Sequence, residues 1–504
     1  MSKGMASLAK DTAIYGISSM LGKFLNWCLV PMYTYVLTNS AEYGIVTNLY
    51  AWTALLLVIL TYGMETGFFR FVNKNTEDPT SVYSSVLLCV GITSSIFAII
   101  CCLLAPGISS LLGYNKHSEY IAIMGIIVAM DAFGCIPFAY LRYQNRAGRF
   151  AVLKLLMILI NIVCNLFFLL VCPAIHAKNP DLIAFFYNPN YGVGYVFISN
   201  LISTISVTLM LLPEILKAKF HIDKALLKRI LAYSLPLLIL GIAGIMNQTI
   251  DKIIYPYLLT DRALANSQLG IYGACFKVAM VMMVFTQAFR YAYEPFVFAT
   301  NKNGDKRDQY ADAMKFFIIF SLLIFLGMMF YLDILKYVIR SDYWEGLRIV
   351  PIVLLSYLFQ GIYFNLSIWY KLIDKTHYGA ILSLIGLVIT LVVNVAFVNL
   401  CNQWFGAGYF ASAGASLICF FIIMLISYFL GQKYYPINYD LRSIFTYFIV
   451  AMICFGIGIG IDNWCNIWVA FALKTILLIG FLGLIIKRDL PLSAIPVIGR
   501  FFRK

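Results

Sequence analysis

Several charged side chains lie inside long apolar segments of this sequence. They are Lys23, Glu65, Arg70, Asp251, Lys252, Lys277, Arg290 and Glu294. An ionisable group inside a membrane-spanning helix costs about 2.5 kcal/mol or more, so it normally faces a water-filled cavity or a partner. Most of these residues are cations, and lysine and arginine bind phosphate or carboxylate groups, arginine through two parallel hydrogen bonds. The set therefore predicts a cavity that binds an anion.

The spacing of polar residues places the first of these charges on one face of a helix. In the first apolar segment, polar or small residues recur at spacings of four, three, four and three; they are Thr12, Gly16, Ser19, Lys23 and Asn26. Such spacing forms one stripe of a helix, which predicts that Lys23 faces water or protein. The alternative is that the long Lys23 side chain snorkels to a nearby membrane interface.

A similar stripe of polar and small residues runs along the seventh apolar segment and ends at a charged pair. The stripe consists of Ser234, Gly241, Gly244, Gln248 and Asp251, and Lys252 comes next. Pro236 is expected to kink this helix. Neighbouring side chains on a helix point about 100° apart, so Asp251 and Lys252 need not pair with each other. An ion pair that serves only the structure is the alternative.

The eighth apolar segment also contains charged residues and indicates a faint internal repeat. Lys277 lies in this segment, and the later residues Gln287, Arg290 and Glu294 are three and four positions apart, so they share one face of the helix. The distance from Tyr43-Gly44 to Glu65 is 22 residues from Tyr to Glu, and it is the same from Tyr272-Gly273 to Glu294. We therefore predict that the first two helices correspond to the seventh and eighth, in two halves related by an axis along the membrane normal.

The composition identifies the elements that must position these charges. The chain has 504 residues, of which 62% are hydrophobic and only 12% charged, whereas soluble proteins are about 25% charged. This predicts an all-α polytopic membrane protein. The twelve cysteines are scattered singly, apart from Cys101-Cys102, with no CxxC motif. We therefore expect no metal site and no cofactor.

A bilayer core of about 30 Å needs about 20 apolar residues per helix. Fourteen segments of that kind are predicted, near 12–38, 43–68, 81–105, 119–141, 150–172, 191–213, 229–258, 267–295, 313–335, 347–370, 377–400, 408–431, 442–461 and 464–486. The connecting loops are all too short to form a separate domain, so any chemistry must occur among the helices.

The distribution of lysine and arginine predicts the orientation. With the N-terminus in the cytoplasm, 26 of the 37 basic residues fall on the cytoplasmic side and six on the other side. The remaining five lie within the spans; they are Lys23, Lys252, Lys277, Arg290 and Lys474. Positively charged loops stay cytoplasmic, so both termini are predicted to be cytoplasmic. Because the basic residues are dispersed over many short loops, the chain is not expected to bind nucleic acid.

Some remaining charges have simpler interpretations. Asp131 could pair with Arg142 or line the cavity, and Arg142, Arg146 and Arg149 are expected to face lipid headgroups. The sequence contains no Walker A loop, no nucleophile elbow and no HExxH motif. We therefore predict a protein that is not an enzyme.

Several short motifs along the chain form a familiar combination. They are Tyr15-Gly16, Gly22-Lys23, Pro31, Tyr33-Thr34, Leu37, Glu42-Tyr43-Gly44-Ile45, Gly63 through Arg70, Asp251-Lys252, Leu269-Gly270-Ile271-Tyr272 and Lys277. This combination resembles the bacterial polysaccharide biosynthesis family of Wzx-type oligosaccharide flippases, in the same superfamily as MATE exporters and lipid II flippases. The likeness covers nearly the whole chain, and its specificity lies in the combination of these residues with helix number and orientation.

The resemblance implies a V-shaped, MATE-like fold. It consists of a six-helix lobe over 1–215, a second over 216–431, and two additional helices with a basic tail over 432–504. It implies transport of an oligosaccharide linked to undecaprenyl pyrophosphate, from the cytoplasmic to the outer leaflet of the bacterial inner membrane, for O-antigen, capsule or exopolysaccharide synthesis. The family's pyrophosphate-binding cations correspond here to Lys23 and, less closely, to Lys252 and Arg70. The Arg290–Pro295 segment has no counterpart in this comparison.

Two other functions stay open. A MATE-like, cation-coupled exporter of small molecules is expected to carry a carboxylate on the first helix, where this chain has Lys23. A polysaccharide polymerase or ligase is expected to have a large outer loop. Besides the lipid-linked substrate and membrane lipids, the partners expected are H⁺ or Na⁺ as a coupling ion and other polysaccharide assembly proteins.

Overall fold

The computed structural model describes residues 16, 20–73, 77–114, 117–219, 221–301 and 307–489, although the side chains of 295–296 and 298–301 are not described. All the regular elements in these ranges are helical. Residues 20–27 are helical, and the main α-helices that follow are α1 (Leu29–Val36), α2 (Ser40–Thr61), α3 (Met64–Val72), α4 (Pro79–Leu112), α5 (Ser118–Tyr143), α6 (Ala147–Leu166), α7 (Cys172–Lys178), α8 (Gly194–Met210), α9 (Leu212–Ile215), α10 (Lys224–Leu258), α11 (Arg262–Val278), α12 (Met280–Asn301), α13 (Arg307–Phe330), α14 (Leu332–Leu335), α15 (Val350–Leu366), α16 (Ile368–Leu372), α17 (His377–Phe405), α18 (Tyr409–Tyr434), α19 (Leu441–Trp464) and α20 (Ile467–Arg488).

The apolar helices confirm the predicted membrane architecture. Within the described ranges, 11 helices are long and apolar enough to cross a membrane, and the bent pair α11 and α12 makes up to 12. Helix α8 is a shorter apolar helix at the predicted segment 191–213. The first predicted segment, 12–38, lies partly outside the described residues. The described residues therefore confirm a helical multi-pass membrane protein, and the predicted number of fourteen spans is roughly consistent with them.

The second predicted span is interrupted by a turn that its hydropathy does not show. Helix α2 begins with Asn39, whose side chain accepts a hydrogen bond from the backbone of Glu42, while a Glu42 carboxylate oxygen accepts one from the Thr38 N–H. These bonds satisfy free amide groups of the first turn. The helix ends at Tyr62 and Gly63, which both have left-handed φ angles, of 30° and 72°. Glycine tolerates that conformation, and α3 starts directly after it.

The chain divides into two compact units, Met1–Ala274 with Ser383–Ser412 and Cys275–Leu382 with Ala413–Lys504. In the first unit, α2 packs along α10, and α4 packs along α5. In the second unit, the last two helices, α19 and α20, pack on α13. The predicted lobe boundaries at 215 and 431 stay a prediction.

A buried lysine with two partly exposed carboxylates joins the last two helices within the second unit. The Lys474 side chain on α20 is only 2% exposed, and its Nζ lies 2.5 Å from an Asp462 oxygen on α19 and 4.0 Å from an Asp333 oxygen on α14. Tyr331 and Thr475 form a neighbouring hydrogen bond of 2.8 Å between their hydroxyl groups. Lys474, one of the five cations predicted within spans, thus holds helices together.

Candidate functional site

The most deeply buried of the predicted charges form a pair on α10. The Asp251 side chain is 2% exposed, and its carboxylate lies 2.9 Å from the Lys252 Nζ. Tyr272, fully buried on α11, donates a hydrogen bond of 2.7 Å to Asp251 Oδ2, the same oxygen that lies 2.9 Å from Lys252 Nζ. Lys252 also donates to the Gln248 carbonyl at 3.2 Å. The two adjacent residues therefore pair, although their Cα–Cβ vectors diverge, because the lysine side chain is long enough to reach back.

A proline changes the hydrogen bonding of helix α10 beside this pair. Pro256 lies inside the helix and has no N–H, so the carbonyl of Lys252, four residues earlier, lacks its intrahelical donor. Asn48 on α2 supplies one, since its Nδ2 donates to the Lys252 carbonyl at 2.7 Å. Tyr114 donates to Asn48 Oδ1 at 3.1 Å and fixes the amide orientation. Asn48 was not predicted as a site residue.

Small residues bring α2 and α11 into backbone contact near this site. A Cβ added to Gly44 would overlap the backbone of Asn266, and one added to Gly270 would overlap the Ser40 carbonyl. The hydroxyl oxygens of Ser40 and Ser267 lie 2.6 Å apart. We call this contact, together with the bonds of Asn48 to α10, the glycine seam.

A second charged group lies in the second unit. Arg290 Nε lies 3.1 Å from Glu294 Oε1 on α12, and the Lys371 Nζ on α16 lies 2.7 Å from the same oxygen. The Arg290 guanidinium also lies 4.9 Å from the centroid of the Phe364 ring. The Arg290 side chain is 46% exposed. The group carries two cations and one anion, and the Pro295 side chain of the same segment lies outside the described residues.

Glu65 and Arg70 both lie on α3 and contact different partners. Glu65 forms an ion pair with Arg142 on α5. The exposed Arg70 guanidinium lies 3.9 Å from the centroid of the Tyr233 ring. Pairing of Arg142 with Asp131 was one of two alternatives for Asp131, and the structure shows Glu65 as a carboxylate partner of Arg142.

Two neighbouring arginines also bind a carboxylate. Arg149 Nη2 lies 2.9 Å from Glu214 Oε2, and Arg146 Nη1 lies 3.9 Å from Glu214 Oε1. The Glu214 side chain is fully buried. The interpretation of Arg142, Arg146 and Arg149 as headgroup anchors missed these partners, because Glu214 is far from them in the sequence.

Lys23 and Lys277 lie in helical segments and are half-buried. Each interacts with other groups of the protein. The structure thus brings together Asp251 with Lys252, and Arg290 with Glu294, in two different units. A single cavity shared by all eight residues stays a prediction.

One cation among the apolar helices was overlooked. Lys154 is half-buried on α6. Its Nζ lies 4.0 Å from the centroid of the Phe138 ring. Thr204 on α8 donates to Asp131 Oδ1 at 3.5 Å. The position of Lys154 two turns into an apolar helix was the available signal.

Comparison with protein families gives two matches. The family described as "Polysaccharide biosynthesis protein" matches residues 8–292, more than half of the chain. The family described as "MatE" matches residues 258–396. The comparison with curated proteins gives no match.

Solved structures share the fold. The lipid II flippase MurJ in an inward closed conformation superposes with a TM-score of 0.67 at 14% identity, covering 95% of this chain and 99% of that chain. An inward-facing multidrug resistance MATE family transporter of the MOP superfamily gives a TM-score of 0.63 at 13% identity, covering 82% of this chain and 94% of that one. An outward-facing transporter of the same family gives 0.56 at 15% identity, covering 86% and 98%. These neighbours are transporters and flippases, not enzymes, in agreement with the sequence prediction.

Proposed function

Because the chain belongs to the polysaccharide biosynthesis protein family, we propose that it moves a lipid-linked oligosaccharide across the membrane by alternating access. The chain is a multi-pass membrane protein with the fold of MATE transporters and a lipid II flippase. The proposed cargo is an oligosaccharide joined by pyrophosphate to undecaprenol. It would pass from the cytoplasmic to the outer leaflet of the bacterial inner membrane, for O-antigen, capsule or exopolysaccharide synthesis.

The buried Asp251–Lys252 pair is the observation that carries this proposal. A cation in an apolar helix would be costly without a partner, and Asp251 is that partner here. A pyrophosphate carries more negative charge than a carboxylate and more acceptor oxygens. It can therefore compete with Asp251 for Lys252 through charge-assisted hydrogen bonds.

The second charged group supports an anionic cargo in the same way. Arg290 and Lys371 share the one carboxylate of Glu294, so this group has a net positive charge. Nearly half of the Arg290 side chain is exposed. An exposed guanidinium retains free donors for a phosphate or a sugar hydroxyl.

The physical properties of such a cargo suit this fold. The polar sugar and phosphate cannot cross hydrocarbon unaided, whereas the polyprenyl tail can remain in it. A protein that carries only the head needs buried cations among its helices and no energy-converting domain of its own. The remaining partners we propose are H⁺ or Na⁺ as a coupling ion, and other polysaccharide assembly proteins. We also propose that both termini are cytoplasmic, as the basic residues predict.

A cation-coupled exporter of small molecules is the second candidate, because the MatE family matches residues 258–396. Lys23 on the first span argues against it, since a cation there repels a coupling cation. Efflux assays with cationic dyes separate the two functions. Dye export that depends on Asp251 and is unaffected by the loss of lipid-linked precursors would favour the exporter.

The test is a clean deletion in a strain without paralogues. We expect the lipid-linked precursor to accumulate on the cytoplasmic leaflet and surface glycan to be lost, with recovery by the wild-type chain. Lys252→Met should fail to restore surface glycan, whereas the matched control Lys178→Met, at the exposed last residue of α7, should restore it. Normal surface glycan in the deletion strain would refute the proposed function.

A further inference from the structure

The glycine seam joins segments that the sequence relates to each other. Tyr43-Gly44 on α2 and Tyr272-Gly273 on α11 are the matching positions of the internal repeat. In the first unit, Gly44 contacts the backbone of α11, and a Cβ added to Gly273 would touch Thr47 on α2. Both glycines of the predicted repeat therefore lie in the contact between α2 and α11.

The seam consists of small residues rather than interlocked large ones. Ser40, Gly44 and Thr47 lie on one face of α2, at spacings of four and three. On α11 the facing residues are Ser267 and Gly270. Small residues let helix backbones approach closely in a membrane, and such contacts have no large side chains that must be withdrawn before the helices separate.

Asn48 extends the seam to α10. Its side chain is only 1% exposed, and it donates to the carbonyl of Lys252, which Pro256 leaves without an intrahelical donor. Tyr114 holds the Asn48 amide from the other side. An ordinary helix would satisfy this carbonyl itself, so the bond to α2 exists because of the proline.

The Asp251–Lys252 pair is thus tied to the seam at two points. The Lys252 backbone is bound to α2 through Asn48, and the Asp251 carboxylate is bound to α11 through Tyr272. Tyr272 itself lies between Gly270 and Gly273, the two seam glycines of α11. A change of partner at Lys252 or Asp251 therefore acts directly on the two helices that meet α2.

We propose that the glycine seam is the outer gate of the transport path, and that Asn48 is the positioning residue that couples the gate to the Asp251–Lys252 pair. This inference rests on the proposed function for its direction. The seam lies near Ser40, the end of α2 that the charge distribution predicts to face outward. When an anion draws Lys252 from Asp251, the pair no longer holds α10 and α11 in register, and α2 separates from them.

The first experiment is a reversible lock. Ser40→Cys with Ser267→Cys places two thiols at positions whose hydroxyl oxygens are 2.6 Å apart. Oxidation should join α2 to α11 and reduce flipping at least tenfold, and reduction should restore it, which separates locking from misfolding. The single variants Ser40→Cys and Ser267→Cys control for the native cysteines. Full flipping by the cross-linked protein would overturn the gate while leaving the proposed function intact.

The second experiment measures the gate without transport. The full-length protein carries Ser267→Cys in membrane vesicles, and labelling of the peptide containing this cysteine by an impermeant maleimide is followed by mass spectrometry. We expect slow labelling from the outer side, labelling about fivefold faster with Asn48→Leu, and an unchanged rate with Gly107→Ala, a glycine with no neighbour within 4 Å. Equal rates in all three, or labelling only from the cytoplasmic side, would overturn the gate even if the cargo proposal fails.

A second-site change distinguishes a gating role of Asn48 from a role in which Asn48 only donates a hydrogen bond to the Lys252 carbonyl. Pro256→Ala restores an N–H to α10, so adding it to Asn48→Leu gives the Lys252 carbonyl an intrahelical donor again. We expect this double variant to regain thermal stability but to keep the fast labelling. A return to slow labelling would assign Asn48 a merely structural role. If Asn48→Leu fails to fold, Tyr114→Phe is the milder variant, with an expected twofold increase in labelling and the opposite conclusion if the rate is unchanged.

Discussion

Two lysines in apolar helices are paired with carboxylates, and the helices around them differ. Lys252 on α10 pairs with Asp251, and this pair is bound to α2 through Asn48 and to α11 through Tyr272. Lys474 on α20 pairs with Asp462 and Asp333 and joins the last helices within the second unit. The first pair adjoins a contact of glycines and serines, whereas the second lies among helices that pack with large side chains such as Phe325 and Phe455. A buried charge therefore indicates function only when the helices around it can separate.

The largest expected effects come from removing either lysine alone. Lys474→Met leaves Asp462 without its main partner, and Lys252→Met leaves the buried Asp251 with Tyr272 alone. Breaking a buried pair from one side costs about 3–5 kcal/mol. We expect Lys252→Met to lose stability of this order, because Asp251 is only 2% exposed, and Lys474→Met to lose less, because Asp462 is 41% exposed and water can solvate its charge. Both are measured by unfolding in detergent, and unchanged stability of Lys252→Met would show that its pair is hydrated and would end the comparison.

Neutral double variants distinguish the two regions by activity. Lys474→Met with Asp462→Asn, and Lys252→Met with Asp251→Asn, each remove the charges together, which is often nearly neutral for stability. We expect both proteins to fold, the first to keep its transport rate, and the second to fall at least about tenfold, or about 1.4 kcal/mol. Transport that survives in the second variant, or is lost in the first, would reverse the assignment of roles.

The close backbone contact in the glycine seam can be tested by adding a single methyl group to it. Gly44→Ala places a Cβ against the backbone of Asn266, where no side chain can rotate away. Overpacking of this kind costs about 1–3 kcal/mol, so we expect a lower melting temperature and faster labelling of a cysteine at position 267. Gly107→Ala is the control, since its added methyl meets nothing within 4 Å. Equal behaviour of the two alanine variants would show that the seam is looser than described.

The smallest effect concerns the end of α20. Burial alone would raise the pKa of Asp489, but hydrogen bonds from Tyr447 and Lys315 and the charge of Lys315 lower the pKa below its usual value. A carboxylate with a lowered folded-state pKa stabilises the fold above its unfolded pKa of about 3.9, and this contribution is lost as the pH falls through the folded pKa.

Unfolding of the wild-type protein and of Asp489→Asn between pH 7 and pH 3 measures this contribution. The stability difference between the two proteins should be present at pH 7 and should shrink below about pH 3.9. A difference that stays constant over this range would show that Asp489 does not act through its charge. Transport at pH 7 should be unaffected, because this carboxylate lies in the region assigned to structure.

Much of the fold could be predicted from local signals. Apolar runs of about 20 residues predicted the helices, because the bilayer requires that length. The internal repeat stays a prediction, although both of its glycines lie at close contacts, Gly44 against Asn266 and Gly273 against Thr47. The break at Tyr62 was not predicted, since a left-handed tyrosine has no signature in hydropathy.

The partners of the charges could not be predicted in the same way. Arg149 and Glu214 are separated by 65 residues, and Asn48 and Lys252 by 204, so no local spacing relates them. Only the packing of whole helices determines which side chains meet. Pro256 did contain a usable signal, because a proline inside a helix always leaves one carbonyl four residues earlier in need of a donor.

The most direct measurement of the central claim is flipping by the purified protein in vesicles. A pyrophosphate-linked polyprenyl oligosaccharide is placed in one leaflet, and its appearance in the other is followed by its accessibility to an impermeant glycosidase. We predict rapid transfer by the wild-type protein and by Lys474→Met with Asp462→Asn, and transfer at least about tenfold slower by Lys252→Met with Asp251→Asn. Equal transfer by all three proteins, or transfer no faster than in protein-free vesicles, would contradict the proposed role of the Asp251–Lys252 pair.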